Sequence, residues 1–115
     1  MNKRRFGSEG EYAVKDYLTG RGYRVMDMNY RRPTGEIDVI ARQGQAVVFV
    51  EVKRRTNARY GRPAEAVDAR KRARIVHTAM LYLQEKRLND VPVRFDVVEL
   101  TPGEINHIEG AFGAE

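Results

Sequence analysis

The chain reads as an α/β domain, a mixed β-sheet flanked by two helices in the order α-β-β-β-α-β-(β). Three observations predict it. Two segments, "SEGEYAVKDYLTGRG" and "AEAVDARKRARIVHTAMLYLQEK", place apolar residues three or four apart, as helices do. Between and after them lie short runs rich in valine and isoleucine, bounded by glycine, proline and asparagine. The chain has 115 residues and neither an internal repeat nor a dividing linker, so one domain, 1–115, is expected, with 1–6 and 111–115 as flexible ends.

The first helix opens at Ser8, a candidate N-cap, with Glu11 three residues on completing a capping-box pattern. Val14, Tyr17 and Leu18 continue its apolar face, and Gly22 stops it. "YRVMDMNYR" alternates as a strand, and "RRPTG" is a turn or loop. "EIDVIA" and "VVFVEVK", joined through "RQGQ", read as a hairpin. "NARYGRP" is loop. The second helix carries Ala69, Ala73, Val76, Met80 and Leu83 at spacings of four and three, with Pro63 just ahead of it. "VPVRFDVVEL" is a strand, and "PGEINHIEG" a turn with a short last strand before a small-residue tail.

Composition narrows the chemistry. There is no cysteine, which removes disulfides, thiolate nucleophiles and cysteine-held zinc. "MNKRRFGSEG" has no apolar core after its charges, and no run approaches the ~20 residues of a membrane span. A cytoplasmic protein is the expectation. Lys and Arg number 21 against 16 Asp and Glu, a net charge of +5, which favours a polyanionic partner such as nucleic acid. The cations cluster at Lys3-Arg4-Arg5, Arg31-Arg32, Lys53-Arg54-Arg55, and Arg70-Lys71-Arg72 with Arg74.

The hairpin makes the sharpest statement. Closed through Gly44-Gln45 in a type II′ turn, it sets Ile37 opposite Val52, Val39 opposite Val50 and Ala41 opposite Val48. That apolar surface belongs in the core. The other surface then sets Asp38 opposite Glu51 and Glu36 opposite Lys53; a slip of one residue would drive charges into the core. Two carboxylates about 5 Å apart at an effective dielectric near 20 repel by roughly 3 kcal/mol, less if exposed. A divalent cation turns that repulsion into attraction. Lys53, two residues from Glu51 on the same face, suits an attacking water or a phosphate.

These residues resemble a family. "GEIDVIA…VVFVEVKRR" looks like the PD-(D/E)XK nuclease superfamily, with Asp38 in first position and Glu51-Val52-Lys53 as the E-x-K. "GSEGEYAVKDYL", "NYRRPTGEIDVIA", "FVEVKRR", "YGRPAEAVDARK" and "RFDVVEL" together look like the YraN-like family of small bacterial proteins, over roughly Phe6 to Phe112. The resemblance implies a restriction-endonuclease-like fold, similar to archaeal Holliday-junction resolvases. It also implies a Mg²⁺- or Mn²⁺-dependent nuclease acting on DNA, with branched or structured DNA as substrate class, and leaves a homodimer open. In those resolvases a glutamate on the first helix joins the site; Glu11 is the matching position. Where the superfamily often has proline before the aspartate, Ile37 stands here.

Each residue has a plainer reading beside the chemical one. Asp38, Glu51 and Lys53 are a catalytic set or a polar strand face; Asp38 and Glu51 are the metal ligands of the first reading. Glu36 is an auxiliary ligand or a cross-strand partner that positions Lys53. Glu11 is a catalytic residue or half of a capping box. Arg54, Arg55, Arg59 and Arg62, past the active strand, and Arg70, Lys71 and Arg74 on the second helix are contacts to a nucleic-acid backbone or a solvated face. Tyr60 stacks on a base or packs. His77 and His107 are structural rather than general bases. A non-catalytic nucleic-acid-binding module and a protein-interaction scaffold are the competing classes.

Overall fold

The computed structural model describes residues 4–55 and 67–113, with residues 4–9 as backbone alone. Its elements are α1 (Arg4–Gly20), β1 (Arg24–Arg32), β2 (Gly35–Gln43), β3 (Ala46–Arg54), α2 (Ala69–Glu85), β4 (Val93–Thr101) and β5 (Glu104–Phe112). The five strands form one mixed sheet in the order β1-β2-β3-β4-β5. Every neighbouring pair is antiparallel except β3–β4, which is parallel and joined by the crossover that contains α2. The expected order of helices and strands holds.

Each helix covers one face of the sheet. Val14 and Leu18 of α1 pack on Val39, Ala41, Val48, Val50 and Val98. Ile75, Ala79 and Tyr82 of α2 pack on Ile37, Ile40, Val47, Phe49, Phe95 and Val97. The central strands are therefore apolar on both sides near the hairpin turn, as "VVFV" records. The charged surface expected opposite the valines is confined to the far end of the hairpin.

Several boundaries differ from expectation, each for a local reason. α1 begins at Arg4, so Ser8 lies inside the helix and is no N-cap. It ends as expected: Gly22 has φ +90, and the amides of Gly22 and Tyr23 bond back to Thr19 and Leu18. Only Pro33-Thr34 separate β1 from β2, so "RRPTG" is a tight hairpin whose first and last residues lie in the strands. α2 begins at Ala69, where the Asp68 carboxylate accepts from the Lys71 amide at 2.9 Å. Pro63 lies outside the described residues. β5 runs on through Ala111 to Phe112, whose ring stacks on Phe95 at 5.2 Å, so this stretch is sheet rather than tail.

Of the apolar stripe expected on α2, Val76 and Leu83 pack against the core and the rest is exposed. Met80 is 55 % exposed and Ala69 and Ala73 are exposed, whereas Ile75, Thr78, Ala79 and Tyr82 face the sheet. Thr78 and Tyr82 carry hydroxyls, so an apolar count passes over them. Both are satisfied inside: Thr78 donates to the Arg74 carbonyl at 2.8 Å, and Tyr82 donates to Asp27 at 2.8 Å.

Candidate functional site

The hairpin register is the expected one, with Val39 opposite Val50 and Ala41 opposite Val48. Gly44 at the turn has φ +60, which suits the first central position of a type II′ turn. The β2–β3 ladder, however, stops at Val39–Val50. Beyond it Asp38 replaces a ladder bond: the Val52 amide donates to Asp38 Oδ2 at 2.7 Å. Ile37, expected beside Val39, instead joins Ile40 on the α2 face. The strand changes faces between them.

The cause lies across the β1–β2 ladder. Met28 pairs with Val39 and Tyr30 with Ile37, leaving Asn29 and Asp38 between them as an unbonded step. Asn29 adopts φ +54, the left-handed region that asparagine tolerates better than most residues. The bend puts Tyr30 and Ile37 on the α2 face and leaves Asp38 lining a cleft. Asn29 also donates from its side chain to Glu11 on α1. Sequence reasoning missed it; the only signal was an asparagine inside a strand.

The cleft holds about 180 Å³ and is lined by Gly35, Glu36, Asp38, Glu51, Lys71, Arg74 and Ile75. Glu51 is 6 % exposed. Burial, then the Glu51 charge, pushes the Asp38 carboxyl up to about 8, despite the Val52 amide, with Glu11 and Glu36 adding to the rise. Burial likewise raises the Glu11 carboxyl, with Glu36 and Glu51 contributing against its bond to Asn29. Four carboxylates on α1, β2 and β3 thus share one electrostatic neighbourhood, including the Glu11 whose capping role the helix start removes.

Lys71 Nζ stands 2.6 Å from Glu51 Oε2, and its own side chain is 36 % exposed. Lys71 was expected on a solvated or phosphate-facing helix surface; it reaches into the cleft instead. Glu36, expected opposite Lys53, pairs with Arg31 at 3.3 Å, its neighbour in the β1–β2 ladder. Lys53 is half-buried and pairs in the parallel ladder with Glu99. Glu99, buried at 5 %, forms an ion pair with Arg55, a contact the sequence did not suggest.

Two carboxylates and waters are what a hard cation such as Mg²⁺ takes from a phosphoryl-transfer site, and Asp38 with Glu51 is the pair of that type here. Among the described residues, no three His, Cys, Asp or Glu side chains stand close enough to hold an ion together. The fit therefore rests on the buried Glu51, the half-buried Asp38 and the repulsion between them.

Around the cleft the cations divide. Arg70 and Arg74 are exposed. Arg72 donates to the Val67 carbonyl at 2.7 Å and lies over Phe112. Arg54 is exposed and lays its stem against Gly10, where an added Cβ would come within 3.2 Å of Arg54 Cδ. With Arg55, Leu100 and the β4–β5 turn it lines a groove of about 680 Å³. Arg59, Arg62 and Tyr60 lie outside the described residues. His77 is exposed on α2. His107 belongs to a separate polar group, Nε2 lying 2.7 Å from Asp96 and Nδ1 3.1 Å from the Tyr17 hydroxyl.

Comparison with known proteins places the chain among relatives of its own size. The model of the "Uncharacterised protein family UPF0102" matches residues 10–100. A UPF0102 protein of Clostridioides difficile strain 630 is 42 % identical over 97 % of this chain and 100 % of its own. One from Symbiobacterium thermophilum is 50 % identical over 87 % of this chain and 85 % of its own. Another, from Lachnoclostridium phytofermentans, is 45 % identical over 99 % and 98 %.

Proposed function

Because the chain belongs to the UPF0102 family, the YraN-like family its motifs resemble, and holds Asp38 and the buried Glu51 in one cleft, we propose that it is a divalent-metal-dependent DNA endonuclease. The observation that carries this reading is Asp38, a carboxyl held beside Glu51 and pushed up to about 8. Two such groups repel when both are charged, and a Mg²⁺ or Mn²⁺ ion would relieve that repulsion.

In this reading Asp38 and Glu51 hold the ion, with Glu11 in their electrostatic neighbourhood and Glu36 as an auxiliary acid. When bound, the metal would polarise the scissile phosphate and lower the pKa of water. Lys53 orients an attacking water, whose oxygen bonds to phosphorus as it gives up a proton. The opposite P–O ester bond breaks, and the departing oxygen takes up a proton. The exposed Arg54, Arg70 and Arg74, with Arg55, Arg59 and Arg62, hold the flanking phosphates. Lys71 adds a cation beside them. Branched or structured DNA is the substrate class the resemblance implies.

The test is incubation of purified protein with linear, flapped and four-way DNA, in Mn²⁺ or in EDTA. Cleavage should require Mn²⁺ and fall at least about 100-fold in Asp38→Ala and in Lys53→Ala, the scale of losing a positioned catalytic group. Cleavage in EDTA, or variants as active as the parent chain, would overturn the mechanism. A second reading, a nucleic-acid-binding module that does not cut, draws on the ion pair that Lys71 already makes with Glu51. Salt-dependent binding without cleavage of any substrate would favour it.

A further inference from the structure

The Lys71–Glu51 pair is the feature of the cleft that the proposed chemistry leaves over. Glu51 projects from a buried stretch of β3, while Lys71 sits in the first turn of α2, its amide held by Asp68. The ammonium therefore comes from a different element than the E-x-K lysine and approaches the carboxylate from the helix side. Its carboxylate partner is 7 % exposed and its own side chain 36 %, so the lysine enters from the cleft mouth.

An ammonium 2.6 Å from a carboxylate oxygen competes with a divalent cation for that carboxylate. The two positive groups would stand within a few ångströms of each other in a poorly screened cleft, a repulsion of several kcal/mol at an effective dielectric of ~20. At about 30 Å³ per water in the liquid, a 180 Å³ cleft has room for a cation with several waters once the ammonium withdraws. Lysine is suited to withdrawing. Its charge is compact and its four-carbon stem flexible, while its Cα stays fixed at the cleft edge in the capped turn.

We infer that Lys71 is an exchangeable counter-cation: it holds Glu51 in the metal-free protein, gives that carboxylate up to a divalent cation, and then pairs with a phosphate oxygen of the bound nucleic acid. This rests on the metal-dependent reading above. The exchange couples the two ligands, because a phosphate that accepts the displaced ammonium makes Glu51 easier to release, so cation and DNA favour each other's binding. Glu51 then stays paired at every stage, by Lys71 before the cation arrives and by the cation afterwards. Lys71 is a positioning and binding residue here, distinct from Lys53 near the attacking water.

Mn²⁺ binding, followed by the electron paramagnetic resonance of the free ion at fixed ionic strength, tests the exchange without reference to activity. Lys71→Gln should bind Mn²⁺ roughly tenfold more tightly than the parent chain, while Lys71→Arg stays within about twofold of it. Equal or weaker binding by Lys71→Gln overturns the exchange and leaves the metal reading standing. Absence of Mn²⁺ binding by parent and variant alike overturns both. Should Lys71→Gln fail to fold, the parent chain supplies the answer through the ¹⁵N resonance of the Lys71 ammonium. That signal should move on addition of diamagnetic Mg²⁺; an unmoved signal while backbone amides around Asp38 shift overturns the exchange.

Discussion

Asp38 connects the backbone, the electrostatics and the chemistry of the cleft. Its carboxyl accepts the Val52 amide where a backbone carbonyl would otherwise pair, and it does so beside Glu51. The raised value has a stability consequence with a definite sign. The folded chain keeps the proton up to about 8, whereas the unfolded chain releases it near 3.8. The native state binds more protons between those values, so stability is fully present at the acid end and is lost as pH rises through the folded value. Asp38→Asn keeps an acceptor for Val52 and removes the ionisation. In metal-free buffer it should be more stable than the parent chain at pH 8.5, by on the order of 2–3 kcal/mol, with the difference vanishing toward pH 4 in urea titrations. At this scale the sequence was legible where strand alternation governs, which put Asp38 and Glu51 together. It was not legible where one backbone torsion governs. Asn29 turns the strand and moves Ile37 to the other face, and no apolar pattern records a positive φ.

Among the elements, α2 decides what the cleft contains. It seats against the start of β2 at Gly35, where an added Cβ would lie 3.2 Å from Thr78 Oγ1 and 3.4 Å from Arg74 Cβ, at φ +153. Lys71 and Arg74, on the same helix, line the cleft together with Asp38. Gly35→Ala should cost about 1–3 kcal/mol in urea unfolding, through strain and displacement of the helix. The hairpin β2–β3 was readable because a short turn fixes register and register fixes faces. The docking of α2 was not, because Thr78 and Tyr82 are polar by composition and buried by hydrogen bonding. A helix docked through those residues brings Lys71 inward and Met80 outward, which is why Lys71 passed for surface charge.

For the molecule as a whole, a second buried polar group ties the sheet together away from the cleft. Asp96 on β4, fully buried, accepts two bonds from Arg94 at 2.9 Å, one from the Gly110 amide at 3.0 Å, and lies against His107 of β5. Arg94 reaches on to Gln43 and Tyr23, so β2, β4, β5 and the residue just ahead of β1 meet in one network. Burial works to raise the Asp96 carboxyl, but His107, Arg94 and Gly110 together hold it below the ordinary range. Its contribution is therefore present above pH 3.8 and lost as pH falls through the folded value. Asp96→Ala should cost about 3 kcal/mol at pH 7, measured by chemical denaturation, because it strands Arg94 and His107. Metal-dependent cleavage, read per folded molecule, should survive it. "RFDVVEL" places this aspartate in a strand two residues from Arg94; its partners on β5, His107 and Gly110, could not be inferred from spacing.

The lone parallel pair in the sheet also orders events in time. β1, β2 and β3 join through turns of two residues, whereas Val47 meets Val93 only after the chain has travelled through α2. Closing that longer loop is the slower step, since non-local pairing must meet its entropy before contacts repay it. The three-strand meander is thus expected to form first, carrying Asp38 and Glu51 side by side before Lys71 arrives with the crossover helix. Folding would then pass through a barrier with both carboxylates uncompensated. Stopped-flow refolding should accelerate in Asp38→Asn at pH 8.5, while truncations in β4 and β5, such as Val98→Ala, act chiefly on the unfolding rate.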